Sequence, residues 1–461
     1  MRYLSTRGQS PLAPFDQVLT DALAPDGGLY VPEAWPARRD WSALEDKSFE
    51  SVAAEVLAIF AEGDIDLAEA RRLTDAAYRE FRWPERVFMS SYGVEHVLEL
   101  FHGPTLAFKD VAMQLIARLF ERSLQRSGSR MSVVVATSGD TGGAAVSALA
   151  GRDNVSLCVL HPYERISHVQ RRFMTSSGAS NILNLAVEGT FDDCQAIVKD
   201  LFADRDFASD VSLGGVNSIN WARIAAQAAY YITASLAVYQ GEPVHFSVPT
   251  GNFGDVFAGY VARQLGAPVG RLIVAVNDND ILDRALRTGN YVKEGIRSTS
   301  SPSMDIEVAS NFERAIFEMS GRDAELTRGL MEDLKRNGGF VLPLTLRDEL
   351  TRVFSSYKAC EADAAEVMSR MADRYGILVD PHTAVGLYAA GKARDEGVMG
   401  PIVTLSTAHP AKFPDAVYQA THLRAQLPGR ENDLFKAREE YKVVPASLDK
   451  VKTAIREQAH R

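Results

Sequence analysis

The sequence has little cysteine, and its cysteines are far apart. Only Cys158, Cys194 and Cys360 occur in 461 residues. An odd number of widely spaced cysteines argues against a disulfide framework and against a zinc site built on cysteine pairs. The nine histidines form no HExxH motif, so no metal centre is expected. His382 and His409 are predicted to be loop histidines.

Long apolar runs are also missing. No stretch approaches the roughly 20 apolar residues of a membrane helix, and residues 1–5 lack the apolar core of a signal peptide. The 50 Lys and Arg residues are outnumbered by 60 Asp and Glu, and an acidic chain has no long-range attraction to nucleic acid. These absences predict a cytoplasmic protein with no membrane or nucleic-acid partner. A monomer or a homodimer is expected, and the sequence does not decide between them.

Beyond residue 92, short β-branched runs alternate with glycine-rich turns and helical periodicity. Repeated strand–turn–helix units predict a parallel sheet with helices on both faces. Two amphipathic helices are predicted before this region, at 49–61 and 66–80. The predicted strands are 131–137, 155–160, 243–248, 271–276 and 402–405, and the predicted helices are 144–150, 256–265 and 384–394.

Three polar loops, at 138–143, 249–255 and 406–410, follow predicted strands. Ligands in parallel α/β folds bind beyond the carboxyl ends of the strands, so these loops are candidate site segments. In loop 251–255, two glycines before a helix let backbone N–H groups converge on an anion. Each loop by itself is equally typical of an ordinary strand–helix turn with Ser, Asp or Thr caps.

Lys109 stands at the start of a predicted helix whose apolar residues recur at helical spacing from 112 to 120. A cation at a helix N-terminus opposes the helix dipole, and Leu106 and Phe108 make the surroundings apolar. Both effects lower the pKa of a lysine and favour its neutral, nucleophilic amine. The alternative is a surface lysine whose ammonium reaches solvent.

A second candidate anion site precedes a long apolar helix that is predicted to end near residue 239. Asn217, Ser218 and Arg223 lie close to its start, where they could converge on an anion. The alternative is a capped helix with an unrelated arginine. A serine hydrolase is not predicted, because the sequence has no GxSxG motif.

These motifs together resemble those of the threonine synthases, a family of pyridoxal-phosphate-dependent enzymes whose superfamily includes tryptophan synthase β chains and threonine dehydratases. The resemblance extends to about residue 420, and it is specific as a combination although no single motif is. The matching segments are STRG (5–8), GGLYVP (27–32), HGPTLAFKD (102–110), TSGDTGG (137–143), VNSINWAR (216–223), GNFGD (251–255) and STAHPAKF (406–413).

The resemblance implies an α/β fold with two lobes whose parallel or mixed sheets are flanked by helices, with the cofactor between the lobes and an N-terminal α+β extension. The extension is expected at 1–92, a smaller lobe carrying the Schiff-base lysine at 93–240, and a larger lobe carrying the cofactor-phosphate loop at 241–461. The charged segment from about 425 to 461 is predicted to be helical, and no function is assigned to it.

The implied reaction converts O-phospho-L-homoserine and water to L-threonine and phosphate, by γ-elimination and β-addition of water, with pyridoxal 5'-phosphate as cofactor. Lys109 resembles the lysine that holds this cofactor as a Schiff base. The other implied roles are cofactor phosphate binding by Gly251, Asn252, Phe253, Gly254 and Asp255, pyridine nitrogen binding by Thr407, substrate phosphate binding by Asn217, Ser218 and Arg223, and substrate carboxylate binding by Ser138 and Thr141.

Asp140 departs from the family pattern at a cofactor-binding position. Relatives often have Asn there, facing the 3' oxygen of the cofactor, and a carboxylate beside a phenolate is repulsive. Two other functions stay open. In another pyridoxal-phosphate-dependent lyase, such as a serine/threonine dehydratase or a phospho-lyase, Arg223 would have no substrate phosphate to bind. In a non-catalytic phosphate-binding α/β protein, Lys109 would be exposed.

Overall fold

The computed structural model describes residues 1–45 and 47–459 of the chain. The strands are β1 (Arg2–Ser5), β2 (Ala13–Pro14), β3 (Tyr30–Pro32), β4 (Phe88–Tyr92), β5 (Glu95–Glu99), β6 (Met131–Ala136), β7 (Val155–Pro162), β8 (Ile182–Glu188), β9 (Leu213–Gly214), β10 (Val244–Pro249), β11 (Val269–Val276), β12 (Asn290–Val292), β13 (Gly339–Val341), β14 (Phe354–Lys358), β15 (Ile402–Ser406) and β16 (Lys442–Pro445).

Helices connect most of these strands, and short 3-10 helices lie at Ser42–Leu44, Pro302–Met304, Pro410–Lys412 and Gly429–Phe435. The α-helices are α1 (Phe15–Asp21), α2 (Phe49–Phe60), α3 (Leu67–Tyr78), α4 (Lys109–Ser127), α5 (Asp140–Leu149), α6 (His168–Thr175), α7 (Phe191–Ala203), α8 (Arg205–Asp210), α9 (Trp221–Val238), α10 (Gly254–Gln264), α11 (Ile281–Thr288), α12 (Phe312–Met319), α13 (Ala324–Asn337), α14 (Leu344–Val353), α15 (Glu361–Tyr375), α16 (Pro381–Asp395), α17 (Pro414–Thr421) and α18 (Leu448–Ala459).

The larger sheet has six strands in the order β14-β11-β10-β15-β5-β4. All neighbours are parallel except β4 and β5, which form an antiparallel pair at one edge. Strand β15 is buried along its whole length, as expected for an apolar, β-branched strand in the middle of a helix-covered sheet. The sheet is therefore mixed, as the resemblance allowed, whereas the alternation of strands and helices predicted a parallel sheet.

The second sheet has five strands in the order β16-β8-β7-β6-β9, all paired in parallel. Its edge strand β16 corrects the prediction for the C-terminal segment, because residues 442–445 pair with β8 and only α18 is an α-helix there. Strands β4 and β5, from the expected extension and the expected smaller lobe, belong to the larger sheet. Strand β16, from the expected larger lobe, belongs to the second sheet. The division of the chain into lobes stays a prediction.

The N-terminal extension consists of the antiparallel sheet β2-β1-β3 and helices α1–α3. The amphipathic helices predicted at 49–61 and 66–80 are confirmed as α2 and α3, which pack on each other and against α9 and α4 respectively. The apolar side chains of the extension belong to the same buried cluster as those of the larger sheet. Among the described residues, no helix is long and apolar enough to cross a membrane.

Helices α5, α10 and α16 begin earlier than predicted, the first two because residues of the glycine-rich turns already have helical geometry. Helix α5 begins at Asp140 and α10 at Gly254, not at 144 and 256. Helix α16 begins at Pro381, with the Asp380 carboxylate capping it. His382 therefore lies in the first turn of a helix, and its prediction as a loop residue was wrong.

Candidate active site

Three neighbouring parallel strands, β10, β15 and β5, carry the predicted site segments at one edge of the larger sheet. Gly251 follows β10, Thr407 follows β15, and Lys109 follows β5 after the turn 100–108. The carboxyl ends of parallel strands meet at the same edge, which is why segments so distant in sequence come together. Asp140 is contributed by the other sheet, in the first turn after β6.

Hydrogen bonds to Asp110 and to His409 fix the turn before Lys109. The Asp110 carboxylate accepts hydrogen bonds from the N–H and the hydroxyl of Thr105, both at 2.7 Å. Leu106 adopts the left-handed conformation, with φ of 62°, and its carbonyl accepts the His409 N–H at 3.0 Å. The backbone next to Lys109 is thereby paired with the loop after β15.

Thr407 lies directly beside this turn. Its carbonyl accepts the N–H of Phe108 at 2.8 Å, and its side chain is buried. Thr407 is therefore held next to Phe108, the residue before Lys109, in the region where the resemblance implies a partner for the pyridine nitrogen.

The Lys109 side chain points into the protein and not to solvent. Its Nζ lies 3.4 Å from Asp140 Oδ2 and 3.4 Å from Ser303 Oγ, and the residue is 9% exposed. Burial lowers the pKa of the Lys109 amine, the Asp140 carboxylate opposes this shift, and the cations Lys412 and Arg223 add to it. A buried amine with a lowered pKa is suited to nucleophilic and base chemistry.

Asp140 is surrounded by hydrogen-bond donors and cations. Its Oδ1 accepts from Gln170 Nε2 at 2.9 Å and pairs with Lys412 Nζ at 2.7 Å, while its Oδ2 accepts from Ser303 Oγ at 3.2 Å. Burial alone would raise the pKa of this carboxyl, but Lys412, Lys109 and Gln170 hold it well below the usual range. Asp140 is therefore ionised, and its charge is compensated within the site.

The loop 251–255 has the form of an anion cradle. A Cβ on Gly251 would lie 2.7 Å from the carbonyl oxygen of Ser303, so only glycine fits without movement. Phe253 is left-handed, with φ of 64°, and its ring packs on Phe312 and Phe354 in the core. What this loop offers a ligand is its backbone N–H groups at the start of α10, which lack acceptors within the helix.

Asp255 faces helix α9 rather than the cradle. Its Oδ1 accepts hydrogen bonds from the hydroxyl of Tyr230 and, at 2.9 Å, from that of Tyr231. Burial raises the pKa of this carboxyl to about 6, although both tyrosine hydrogen bonds oppose the shift. Within the described part of the chain its Oδ2 has no partner, and a carboxylate oxygen has no proton to offer a phosphate when ionised, so Asp255 can serve a bound phosphate only through its backbone N–H.

Arg223 is a buried cation with spare hydrogen-bonding capacity. It is 4% exposed, its Nη1 donates to the Val216 carbonyl at 3.0 Å, and within the described part of the chain its Nε has no partner. Burial lowers its pKa to about 10, opposed by Tyr230 and Asp255. A buried guanidinium with an unused N–H favours binding of an anion.

The segment before Arg223 is tied to the glycine loop. Asn311 Nδ2 donates to the Ser218 carbonyl at 3.2 Å and to the Asn252 carbonyl at 3.1 Å. The two segments that the sequence predicts to bind phosphate are thus neighbours with a common support. Asn217 and Ser218 are both half-buried.

The hydroxyl loop after β6 is also held in place. Thr137 Oγ1 accepts the N–H groups of Gly139 and Gly142, both at 2.9 Å. Ser138 and Thr141, which flank this hydrogen-bonded turn, are half-buried. They remain accessible to a ligand bound beside Asp140.

Several site residues were missed by the sequence reasoning. His382 Nε2 accepts the Ser303 N–H at 3.2 Å, while its Nδ1 bonds Asp380 at 2.6 Å. Lys412 lies inside the matching segment 406–413, so that motif contained a signal for it. Ser303, Gln170 and Asn311 lie in segments with no recognisable pattern, and only the folded chain brings them to the site.

These features fit pyridoxal 5'-phosphate. Attachment to a lysine requires a buried amine of lowered pKa, which Lys109 supplies. The phosphate requires converging N–H groups, which the glycine loop supplies at a helix N-terminus. The buried cations Lys412 and Arg223 near Lys109 suit anionic ligands. The fold and this site define a pyridoxal-phosphate-dependent enzyme, and residues 94–328 match the family model described as "Pyridoxal-phosphate dependent enzyme".

The rest of the chain identifies the family within this class. Residues 2–78 match "Threonine synthase N terminus" and residues 383–455 match "Threonine synthase, C-terminal". The chain is 44% identical to the threonine synthase of Pseudomonas aeruginosa, covering 100% of this chain and 99% of the relative. It is 40% identical to that of Corynebacterium glutamicum, covering 99% and 98%. The chain therefore belongs to the threonine synthase family.

Solved structures agree with this assignment. A structure of pyridoxal-phosphate-bound threonine synthase from Brucella melitensis superposes with a TM-score of 0.95 at 47% identity, covering 100% of both chains. Yeast threonine synthase superposes with a TM-score of 0.93 at 36% identity, covering 100% of this chain and 99% of that one. The predicted fold class, cofactor and enzyme family are confirmed.

Proposed function

We propose that this enzyme converts O-phospho-L-homoserine and water to L-threonine and phosphate, with Lys109 holding the cofactor covalently and moving protons. The observation that carries this proposal is that two separate groups suited to anions, the glycine loop at the start of α10 and the buried Arg223 with its unused Nε, lie near one buried amine. The glycine loop suits the phosphate of the cofactor, and Arg223 suits the phosphate of the substrate. A dehydratase substrate brings no second phosphate, and it would leave the Arg223 Nε unused.

The cofactor, when bound, supplies an electron sink that stabilises negative charge at the substrate carbons. The Lys109 amine, released when the substrate amine takes its place, removes the proton from Cα as general base. Loss of a Cβ proton then expels phosphate from Cγ. Protonation at Cγ, addition of water at Cβ and return of the Cα proton complete L-threonine.

The other residues bind and orient these groups. Only the backbone N–H groups of Phe253 and Asp255 serve the cofactor phosphate, because their side chains pack elsewhere. Asp140 lies beside whatever is bonded to Lys109. We assign cofactor phosphate binding to Gly251, Asn252, Phe253, Gly254 and Asp255, pyridine nitrogen binding to Thr407, substrate phosphate binding to Asn217, Ser218 and Arg223, and substrate carboxylate binding to Ser138 and Thr141.

The setting of the enzyme is part of the proposal. The substrate is a small molecule, and no nucleic-acid or membrane partner is invoked. We place the enzyme in the cytoplasm, as a monomer or homodimer, on the basis of its acidic composition and short apolar runs. Analytical ultracentrifugation of the purified protein decides the oligomeric state.

Lys109→Ala tests the proposal directly. We expect the variant to lose the visible absorbance band of the lysine-bound cofactor and at least about a thousandfold of kcat, since covalent attachment and the general base, which alone contributes roughly 10²–10⁴-fold, are both lost. The measurement is an absorbance spectrum, followed by assays of phosphate and threonine after addition of O-phospho-L-homoserine.

Lys358→Ala is the matched control, because Lys358 is a lysine paired with Asp280 at 3.0 Å outside the site. It should keep both the band and the two products. Full activity of Lys109→Ala would refute the central role of this lysine. A band in the wild-type protein without threonine formation would leave a pyridoxal-phosphate-dependent lyase of another specificity.

A further inference from the structure

A second buried lysine stands beside the site, and the reaction outlined above assigns it no role. Lys412 ends the 3-10 helix after β15 and is 1% exposed. Its Nζ donates to the Thr105 carbonyl at 2.8 Å and pairs with Asp140 Oδ1 at 2.7 Å. One ammonium thus joins the turn that precedes Lys109 to the helix start that carries Asp140.

The distances indicate which lysine is the counter-ion of Asp140. Lys412 approaches the carboxylate to 2.7 Å, whereas Lys109 stays at 3.4 Å on the other oxygen. A charged hydrogen bond is strongest near 2.7–2.9 Å. Lys412 therefore neutralises most of the charge of Asp140, and Lys109 is the weaker partner.

This division of partners matters for Lys109 in two ways. Lys109 has to give up its proton to react with an aldehyde, and an uncompensated carboxylate nearby would hold that proton. A ligand bonded to Lys109 also lies within a few Å of Asp140 Oδ2. Because the ligands are anionic, a bare carboxylate there would repel them.

We propose that Lys412 is a positioning residue that compensates the charge of Asp140 and fixes it to the Lys109 turn, so that the ligand of Lys109 meets an ion pair without net charge in place of a bare carboxylate. The pair resembles an uncharged amide side chain in its lack of net charge. This inference rests on the proposed function in one respect, the attachment of the cofactor to Lys109.

The test is a double-mutant cycle on the full-length protein. Lys412→Gln keeps a donor for the Thr105 carbonyl but removes the charge, and Asp140→Asn removes the charge of its partner. The two single variants, the double variant and the control Lys358→Gln are freed of cofactor and titrated with pyridoxal 5'-phosphate, with the absorbance band of the bound cofactor as readout. Thermal unfolding is recorded in parallel.

We expect Lys412→Gln to weaken cofactor binding at least about tenfold, the change that corresponds to one pKa unit of differential interaction. In the Asp140→Asn background the same substitution should change binding by less than about threefold, close to the margin for sites that do not interact. Lys358→Gln should bind as the wild type does.

An equal loss in both backgrounds would overturn the inference, because a lysine needed only for packing is not rescued by neutralising Asp140. If Lys412→Gln does not fold, the comparison of Asp140→Asn with the double variant decides alone. Equal cofactor binding by Asp140→Asn and the double variant supports the pairing of Lys412 with Asp140. A further tenfold loss of cofactor binding in the double variant refutes it. A wild-type protein that shows no cofactor band would refute the proposed function. A wild-type protein that shows the band, with an equal loss in both backgrounds, would refute only the role of Lys412.

Discussion

Buried cations dominate the site at the scale of single residues. Lys109, Lys412 and Arg223 are each less than one tenth exposed, and Asp140 is the carboxylate nearest to two of them. Burying an ion without a partner is costly, so a buried cation with an unpaired N–H is a candidate for binding an anion. Arg223 shows this most clearly, since its Nε has no partner among the described residues.

Arg223→Ala is predicted to impair use of the substrate more than binding of the cofactor. A charge-assisted hydrogen bond is worth roughly 1.5–3 kcal/mol, which corresponds to about a tenfold to hundredfold loss of kcat/KM. The measurement is kcat/KM for O-phospho-L-homoserine, with the titration of pyridoxal 5'-phosphate as a second readout.

The control for this prediction is Arg287→Ala, which removes an arginine half exposed on α11 and paired with Asp283. It should leave kcat/KM unchanged. If Arg223→Ala also left it unchanged, Arg223 would not bind the substrate phosphate, and the argument for a phosphorylated substrate would lose its main support.

At the scale of elements, the site depends on turns that admit only certain residues. The cradle between β10 and α10 passes so close to the Pro302–Met304 helix that Gly251 has no room for a side chain. Asn311, just before α12, supports this cradle and the start of α9 together. Small changes in these turns should therefore alter ligand binding before they alter the fold.

Gly251→Ala is predicted to weaken cofactor binding, by about tenfold or more. The new Cβ would meet the Ser303 carbonyl at 2.7 Å, and overpacking of this kind costs roughly 1–3 kcal/mol. Displacement of Ser303 would also disturb its contacts with Lys109 and Asp140. The titration of pyridoxal 5'-phosphate measures the effect.

Gly329→Ala is the matched glycine control. Gly329 lies inside α13, and nothing lies within 4 Å of the position of its Cβ. Because alanine is the better helix former, this variant should be more stable by roughly 0.5–1 kcal/mol and bind the cofactor normally. Normal cofactor binding by Gly251→Ala would show that the loop can relax and would weaken its assignment as a cradle.

At the scale of the whole molecule, the C-terminal segment supports the site from outside. Strand β16 extends the sheet that contains β6. Glu439 lies just before β16, and the carboxylate of Glu439 binds helix α6. Its carboxylate accepts two hydrogen bonds from Arg171, at 2.9 and 3.2 Å, and one from Thr175 at 2.9 Å. The same helix carries Gln170, the residue that bonds Asp140.

Glu439→Ala is predicted to lower the free energy of unfolding by about 1–3 kcal/mol, the range for a lost set of hydrogen bonds to a charged group. Cofactor binding should weaken with it, because α6 would hold Gln170 less firmly. Chemical denaturation of the cofactor-free protein and titration with pyridoxal 5'-phosphate measure the two effects.

Glu457→Ala, an exposed carboxylate on α18, is the control and should change neither quantity. Unchanged stability of Glu439→Ala would mean that strand pairing alone holds the segment in place. Lower stability with unchanged cofactor binding would separate the C-terminal segment from the site.

Much of this protein was determined by its sequence alone. The alternation of β-branched runs with helical periodicity predicted a parallel sheet covered by helices, although not the antiparallel pair of β4 and β5, and Lys109 at an apolar helix start predicted a buried amine of lowered pKa. The glycine loop and the segment before Arg223 predicted two anion sites. All of these depend on neighbours within one turn or one strand, where steric and dipole effects follow directly from residue order.

Other features were decided only by the tertiary structure. The pairing of Asp140 with Lys412, the approach of Ser303 to Lys109 and the addition of β16 to β8 join residues between 194 and 272 positions apart. The direction of the Asp255 side chain was also decided by the tertiary structure. Its carboxylate faces α9, a segment closer in sequence, and not the cradle. Periodicity and motif spacing carry no information about such contacts, because they arise from which loops the sheets bring to a common edge and which side chains then share a buried volume.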